Sequence, residues 1–149
     1  MQPILSKSAA ADLIVAARIR KGMTWAGIAE SIGAPVVWTT AALLGQHPMT
    51  EEQAAAVCTL LDLDDTVAES LRLQPSRGAD PATLSDPTIY RLVEAVSVYG
   101  PALKELIHEE FGDGIMSAIN FNIDIARRPH PDGDRVVITL DGKFLDYRW

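Results

Sequence analysis

The sequence predicts an α+β chain in two parts, and three observations predict it. Apolar residues recur at helical spacing from Ser8 to about Leu73, they alternate with polar ones from Ile119 to Leu140, and a stretch rich in proline and glycine separates the two regimes. The division expected is a helical domain over 1–75, a connector over 76–85 and a mixed domain over 86–149.

In the first part, Leu13, Ile14 and Ala17, then Ile28, Ala29 and Ile32, then Val57, Leu60 and Leu61 fall on helix faces. Ser8, Thr24 and Thr50 are suited to cap free amides at helix starts, and Thr50 with Gln53 has the spacing of a capping box. Gly33 and Gly45 provide stops after Ile32 and Leu44. Five short helices around a small core are expected. Pro75, Arg77, Gly78, Asp80 and Pro81 then suit an extended connector.

Asp86 followed by Pro87 predicts a strong helix start, since the carboxylate caps amides and proline costs no hydrogen bond in the first turn. This helix is expected to run to Tyr99 and stop at Gly100, with a second from Pro101 to near Phe111. Beyond Gly112-Asp113-Gly114 the period becomes two: Ile119, Phe121, Ile123 and Ile125 predict one strand, and Val136, Ile138 and Leu140 another across a polar turn at Pro129 to Asp134. Asp141-Gly142 reads as a tight turn before a last extended piece at Phe144 and Leu145. So thin a sheet is unstable by itself, which predicts burial against other subunits.

Composition excludes several functions. With 149 residues and 48% hydrophobic content a core is available, while a net charge of −7 opposes general polyanion binding. Cys58 is the only cysteine, so an intrachain disulfide is impossible and a buried thiol is expected. No leader pattern begins the chain and no run of apolar residues is long enough to span a bilayer, which points to a cytoplasmic protein.

Thr24 to Gly45 has the outline of a helix-turn-helix, but its residues argue against DNA. A recognition helix reads base edges and phosphates with polar and basic side chains, and no Lys or Arg occurs from Thr24 through Leu60. The helix in the reading position, from Pro35 to Leu44, is almost wholly apolar and is expected to pack against a core or another chain.

Arg91 and Glu94, three apart on one predicted helix, share a face on which the carboxylate can orient the guanidinium. That spacing equally describes an exposed helical ion pair. Tyr90 and Tyr99 on the same helix read as core or interface aromatics. Ser117 follows the Gly-Asp-Gly turn, where amides can converge on an anion and a hydroxyl can donate beside them, although a serine there is also an ordinary local cap. No histidine stands at a revealing spacing to Ser117, so it reads as a donor and not a nucleophile. Glu105 and His108 form a single Glu-x-x-His pair, His47 and His130 lie in turns, and the glycines fit no phosphate loop or dinucleotide fingerprint. No metal and no organic cofactor are expected, and Glu105 and His108 are expected to form a solvated helix face.

The chain resembles the cyanate lyase (cyanase) family. The matching stretches are Asp86 to Arg91 with Glu94, Val98-Tyr99-Gly100, Leu103-Lys104, His108-Glu109, Phe111 to Phe121, Gly133-Asp134-Arg135 and Asp141 to Leu145. Thr40 to Gln46, Leu61 to Asp64 and Pro75 to Gly78 add to them. The resemblance implies an amino-terminal helix-turn-helix-like (lambda repressor-like) bundle that does not bind DNA, followed by a small α+β domain whose strands interlock between subunits. It implies a bicarbonate-dependent conversion of cyanate to ammonia and carbon dioxide through carbamate, with no cofactor beyond bicarbonate as co-substrate. The family's catalytic arginine, glutamate and serine fall on Arg91, Glu94 and Ser117. Arg91, Ser117, the amide near Ala118 and a cavity-lining Leu145 are implied to bind substrate. A homodecamer of interlocked dimers with sites between subunits is implied as well. Asp146 departs from a common proline, and the tail Tyr147-Arg148-Trp149 is variable. The reading from another class is a non-catalytic helix-turn-helix-like scaffold or regulator that oligomerises through its carboxyl-terminal half.

Overall fold

The structure is a computed structural model and describes residues 3–77 and 80–148. Gly78 of the connector and Trp149 of the tail therefore lie outside the described residues, as do Met1 and Gln2. The chain divides into two compact units, Met1–Arg77 with Asp124–Val137, and Gly78–Ile123 with Ile138–Trp149.

The amino-terminal part holds five helices, α1 (Lys7–Arg20), α2 (Trp25–Ile32), α3 (Val36–Leu43), α4 (Glu51–Leu61) and α5 (Asp65–Arg72). Each begins where a side chain can replace a missing backbone partner. Thr24 Oγ1 accepts from the Gly27 amide at 2.9 Å, and Thr50 and Gln53 form the full capping box. The cap of α1 is Ser6 and not Ser8, because Ser6 Oγ accepts from the Ala9 amide at 3.1 Å and the helix is already under way at Lys7. Gly33 ends α2 in the left-handed region, as its lack of a Cβ allows, and Asp62 does the same for α4 at φ 54°.

Ile14, Ile28, Leu43, Val57, Leu61, Val67 and Leu71 are fully buried and form one core. Leu13, expected on the buried face of α1, is exposed, since Ala10, Ile14 and Ala17 already take the inner stripe at i, i+4 and i+7. On α3, Thr39, Ala42 and Leu43 turn inward while Val36 and, just past the helix end, Leu44 remain exposed.

The carboxyl-terminal part departs from expectation in four places. Residues Pro81–Leu84 form a short helix, α6, inside the expected connector, because Asp80 Oδ1 caps the Ala82 amide and Pro81 presets the first turn. The two helices expected on either side of Gly100 are one continuous helix, α7 (Pro87–Phe111), with Pro101 inside it. Proline removes one hydrogen bond there, and the 24 other residues keep the helix continuous. Strand β1 (Gly114–Arg128) begins five residues before Ile119, and β2 (Arg135–Asp146) passes through Asp141-Gly142 without turning. The amide of Tyr147 donates to the Asp113 carbonyl at 3.0 Å, so pairing extends past both strand ends.

Together β1 and β2 make a two-stranded sheet. No residue of α7 is buried, and Leu92, Val96, Val98, Tyr99 and Leu106 are each at least half exposed. The hairpin is similar: Ile119 is 88% and Val136 75% exposed.

Candidate active site

Asp86 starts α7 by accepting from the amides of Thr88 and Ile89 at 2.9 and 3.1 Å. That fixed start puts Arg91 and Glu94 on successive turns of one face, where Arg91 Nη1 donates to Glu94 Oε2 at 2.8 Å. The side chains are 70% and 50% exposed, so in one chain this is an open helical pair with little stabilising value. The guanidinium also lies 5.8 Å from the centroid of the Tyr90 ring.

Ser117 has different surroundings. It is 6% exposed in a hairpin most of whose residues are exposed. Its Oγ accepts from the amides of Ile119 and Asn120, at 3.1 and 2.9 Å. A hydroxyl has two lone pairs and one proton, and here both lone pairs are engaged by amides of its own chain. The remaining polar element is the proton, so Ser117 is set up to donate. The same two bonds tie the Ile119 and Asn120 amides to a side chain two and three residues before them, a local side-chain-to-backbone pairing within β1.

Several groups fix the segment that leads to Ser117. Gly112 ends α7 at φ 95°, a conformation that only glycine adopts without strain, and its amide donates to the His108 carbonyl at 3.0 Å. His108 is not on a solvated face: its Nε2 stands 3.3 Å from the Gly114 carbonyl and its Nδ1 3.7 Å from the Asp113 carboxylate. Glu105 is exposed as expected. Phe111 stacks on Phe144 with ring centroids 5.4 Å apart, and an apolar groove of about 430 Å³ lies among Ile107, Phe111, Met116, Leu140 and Phe144.

Ala118 and Leu145 are both exposed, Leu145 by 41%, and the Leu145 carbonyl lies beside Gly114. Among the described residues no hydrogen bond joins Arg91 or Glu94 to Ser117. Arg91 lies 20 residues before the end of α7, about 30 Å along the axis, and Ser117 follows that end. The sequence reading missed the amides of Ile119 and Asn120 as the groups that hold Ser117, and it missed His108 as the fastening of the Gly-Asp-Gly turn. The Ser-x-x-Asn spacing carries the first signal; nothing in the spacing of His108 carries the second. Among the described residues no three or more His, Cys, Asp and Glu side chains gather where a metal ion could be held.

Comparison with known proteins shows the family of the chain. Residues 81–149 match the family described as "Cyanate lyase C-terminal domain", and residues 7–75 match "Cyanate hydratase, N-terminal". The chain is 58% identical over 137 residues to the cyanate hydratase of Mycolicibacterium vanbaalenii, covering 91% of this chain and 90% of that one. It is 50% identical over 145 residues to the cyanate hydratase of Dechloromonas aromatica, covering 97% and 99%. The crystal structure of cyanase from T. urticae superposes with a TM-score of 0.83 at 38% identity, covering 91% of this chain and 96% of that one. On these grounds the chain belongs to the cyanate lyase family.

Proposed function

We propose that the chain is a cyanate lyase that decomposes cyanate with bicarbonate, giving carbamate and carbon dioxide, and then ammonia as carbamate breaks down. Written with its protons, cyanate, bicarbonate and one proton yield carbamate and carbon dioxide; a second proton releases ammonia and a second carbon dioxide. A bicarbonate oxygen forms a bond to the cyanate carbon, and the bond from that oxygen to the bicarbonate carbon breaks as carbon dioxide leaves.

The observation that carries this reading is the state of Ser117, a buried hydroxyl whose lone pairs are both engaged and whose proton is free to be donated. Two anions must be held together, which requires fixed positive charge and oriented donors in a dry place. Arg91 supplies the charge, Ser117 and the Ala118 amide the donors, and Leu145 an apolar wall. Glu94 accepts from the guanidinium and would serve to orient it or to carry a proton to nitrogen.

The site we propose is completed between chains. Arg91 is open and far from Ser117 along its own helix, no residue of α7 is fully buried, and the hairpin presents exposed apolar residues on a two-stranded sheet. A homodecamer built from interlocked dimers would bring an α7 of one chain to a Ser117 of another. A cytoplasmic location agrees with the finding that no described helix is long and apolar enough to cross a membrane.

The test is ammonia release from cyanate by purified protein, with and without bicarbonate, in solution freed of carbon dioxide. Bicarbonate-dependent ammonia is expected. None from a verified oligomer would favour the scaffold reading. Arg91→Ala, Glu94→Gln and Ser117→Ala should each lower turnover at least about a hundredfold, the usual scale for one oriented donor, with assembly mass unchanged.

A further inference from the structure

We propose that Gly142 is a positioning residue for Ser117, acting through the backbone that carries it; the inference rests on the role given to Ser117 above. Gly142 lies on β2 directly against the Met116–Ser117 segment of β1. A Cβ placed on it would overlap the Ser117 carbonyl oxygen and Met116 Cγ, with Met116 Sδ at 3.2 Å. Gly142 is not in the left-handed region, so backbone conformation does not demand glycine there. Close approach does.

This approach matters because it sits at the residue whose side chain must be aimed. Ser117 Oγ is fixed from one side by the amides of Ile119 and Asn120. On the other side its carbonyl stands close against β2, at the one place where that strand has no side chain to hold it away. The Met116 side chain lies in the space a Cβ would fill and continues into the groove beside Phe111 and Phe144. The smallest addition at Gly142 therefore pushes Ser117 along with its hydroxyl, whereas the ends of α7 and β1 are held elsewhere, by His108 and by Phe111 on Phe144.

The overlap has two components, and they predict different rescue. The Met116 component is flexible and disappears in Met116→Ala; the Ser117 component is backbone and does not. The experiment measures kcat and KM for cyanate, assembly mass and melting temperature for Gly142→Ala, Met116→Ala and the two combined. Expected is a kcat about a hundredfold below wild type in Gly142→Ala, the scale of a misplacement of about 1 Å, with KM for cyanate changed much less. The double variant should stay equally far below Met116→Ala, which keeps the test valid if Gly142→Ala alone fails to assemble. A double variant as active as Met116→Ala would show that the glycine only makes room for methionine and would overturn the inference. Gly133→Ala, strained at φ 117° in the hairpin turn, should lower the melting temperature and leave kcat intact, which separates aiming from general hairpin stability. Retained turnover in Ser117→Ala would instead sink the role of Ser117 itself.

Discussion

Thr39 is fully buried, and its hydroxyl oxygen has no hydrogen-bond partner among the described residues, whereas Thr40 beside it donates to the Val36 carbonyl at 2.8 Å. An unpartnered buried hydroxyl is costly, so Thr39→Val should stabilise the protein by about 1 kcal/mol, read as a raised melting temperature. His47 provides a pH-dependent test. Its Nδ1 lies 3.0 Å from Arg77 Nη2, and its ring stacks on Trp38. Burial, with the Arg77 charge second, holds its pKa below the ordinary imidazole value. The folded chain thus favours neutral His47, and unfolding takes up a proton in the interval between the two pKa values. The stability so gained is complete above the ordinary value and is lost as pH falls through the folded one. Arg77→Ala should raise the pKa of His47 in an NMR titration; an unmoved midpoint would rule out the guanidinium as a contributor. Cys58, pushed up to about 11 by burial and then by Asp64 and Asp65, should resist alkylation at neutral pH until the protein unfolds.

At the scale of elements, what was legible followed from local chemistry. The caps at Thr24, Thr50 and Asp86 and the stop at Gly33 were readable because each depends on one side chain or one missing Cβ within a few residues. Gly100-Pro101 was misread for the opposite reason, since proline weakens a helix without always ending it and the outcome depends on the whole of α7. Asp141-Gly142 was misread as a turn because its glycine serves close approach of two strands, a fact that only the pairing reveals. The site followed the same rule. Arg91 with Glu94 was visible from helical spacing, whereas the two amides on Ser117 bond locally to a side chain within a strand, which alternation cannot show. The joint between α7 and β1 offers its own test. Gly112→Ala forces a side chain into φ 95° and should destabilise by about 1 to 3 kcal/mol, with hydrogen exchange rising first at the Gly112 amide. Unchanged exchange there would mean that the joint relaxes without cost.

For the whole molecule, activity and assembly should be inseparable. If the arginine and the serine of one site come from different chains, dilution should lower specific activity in step with the loss of oligomer mass, and both should return together on reconcentration. Activity that persists in isolated chains would refute the shared site. Mixing inactive Arg91→Ala chains with inactive Ser117→Ala chains should restore part of the turnover, because some sites then receive both intact residues.

The bare apolar stripe on α7 also constrains how the protein is made. The five amino-terminal helices leave the ribosome first, and their contacts close a core of their own, so that half can fold while synthesis continues. The half that follows emerges with Leu92, Val96, Tyr99 and Leu106 each at least half exposed. If chains pair through this stripe, as proposed above, newly made chains pass through an adhesive interval whose length is set by how soon they meet one another. Slow expression at low copy number should prolong that interval and increase the dependence on chaperones, and neighbouring ribosomes on one message would shorten it.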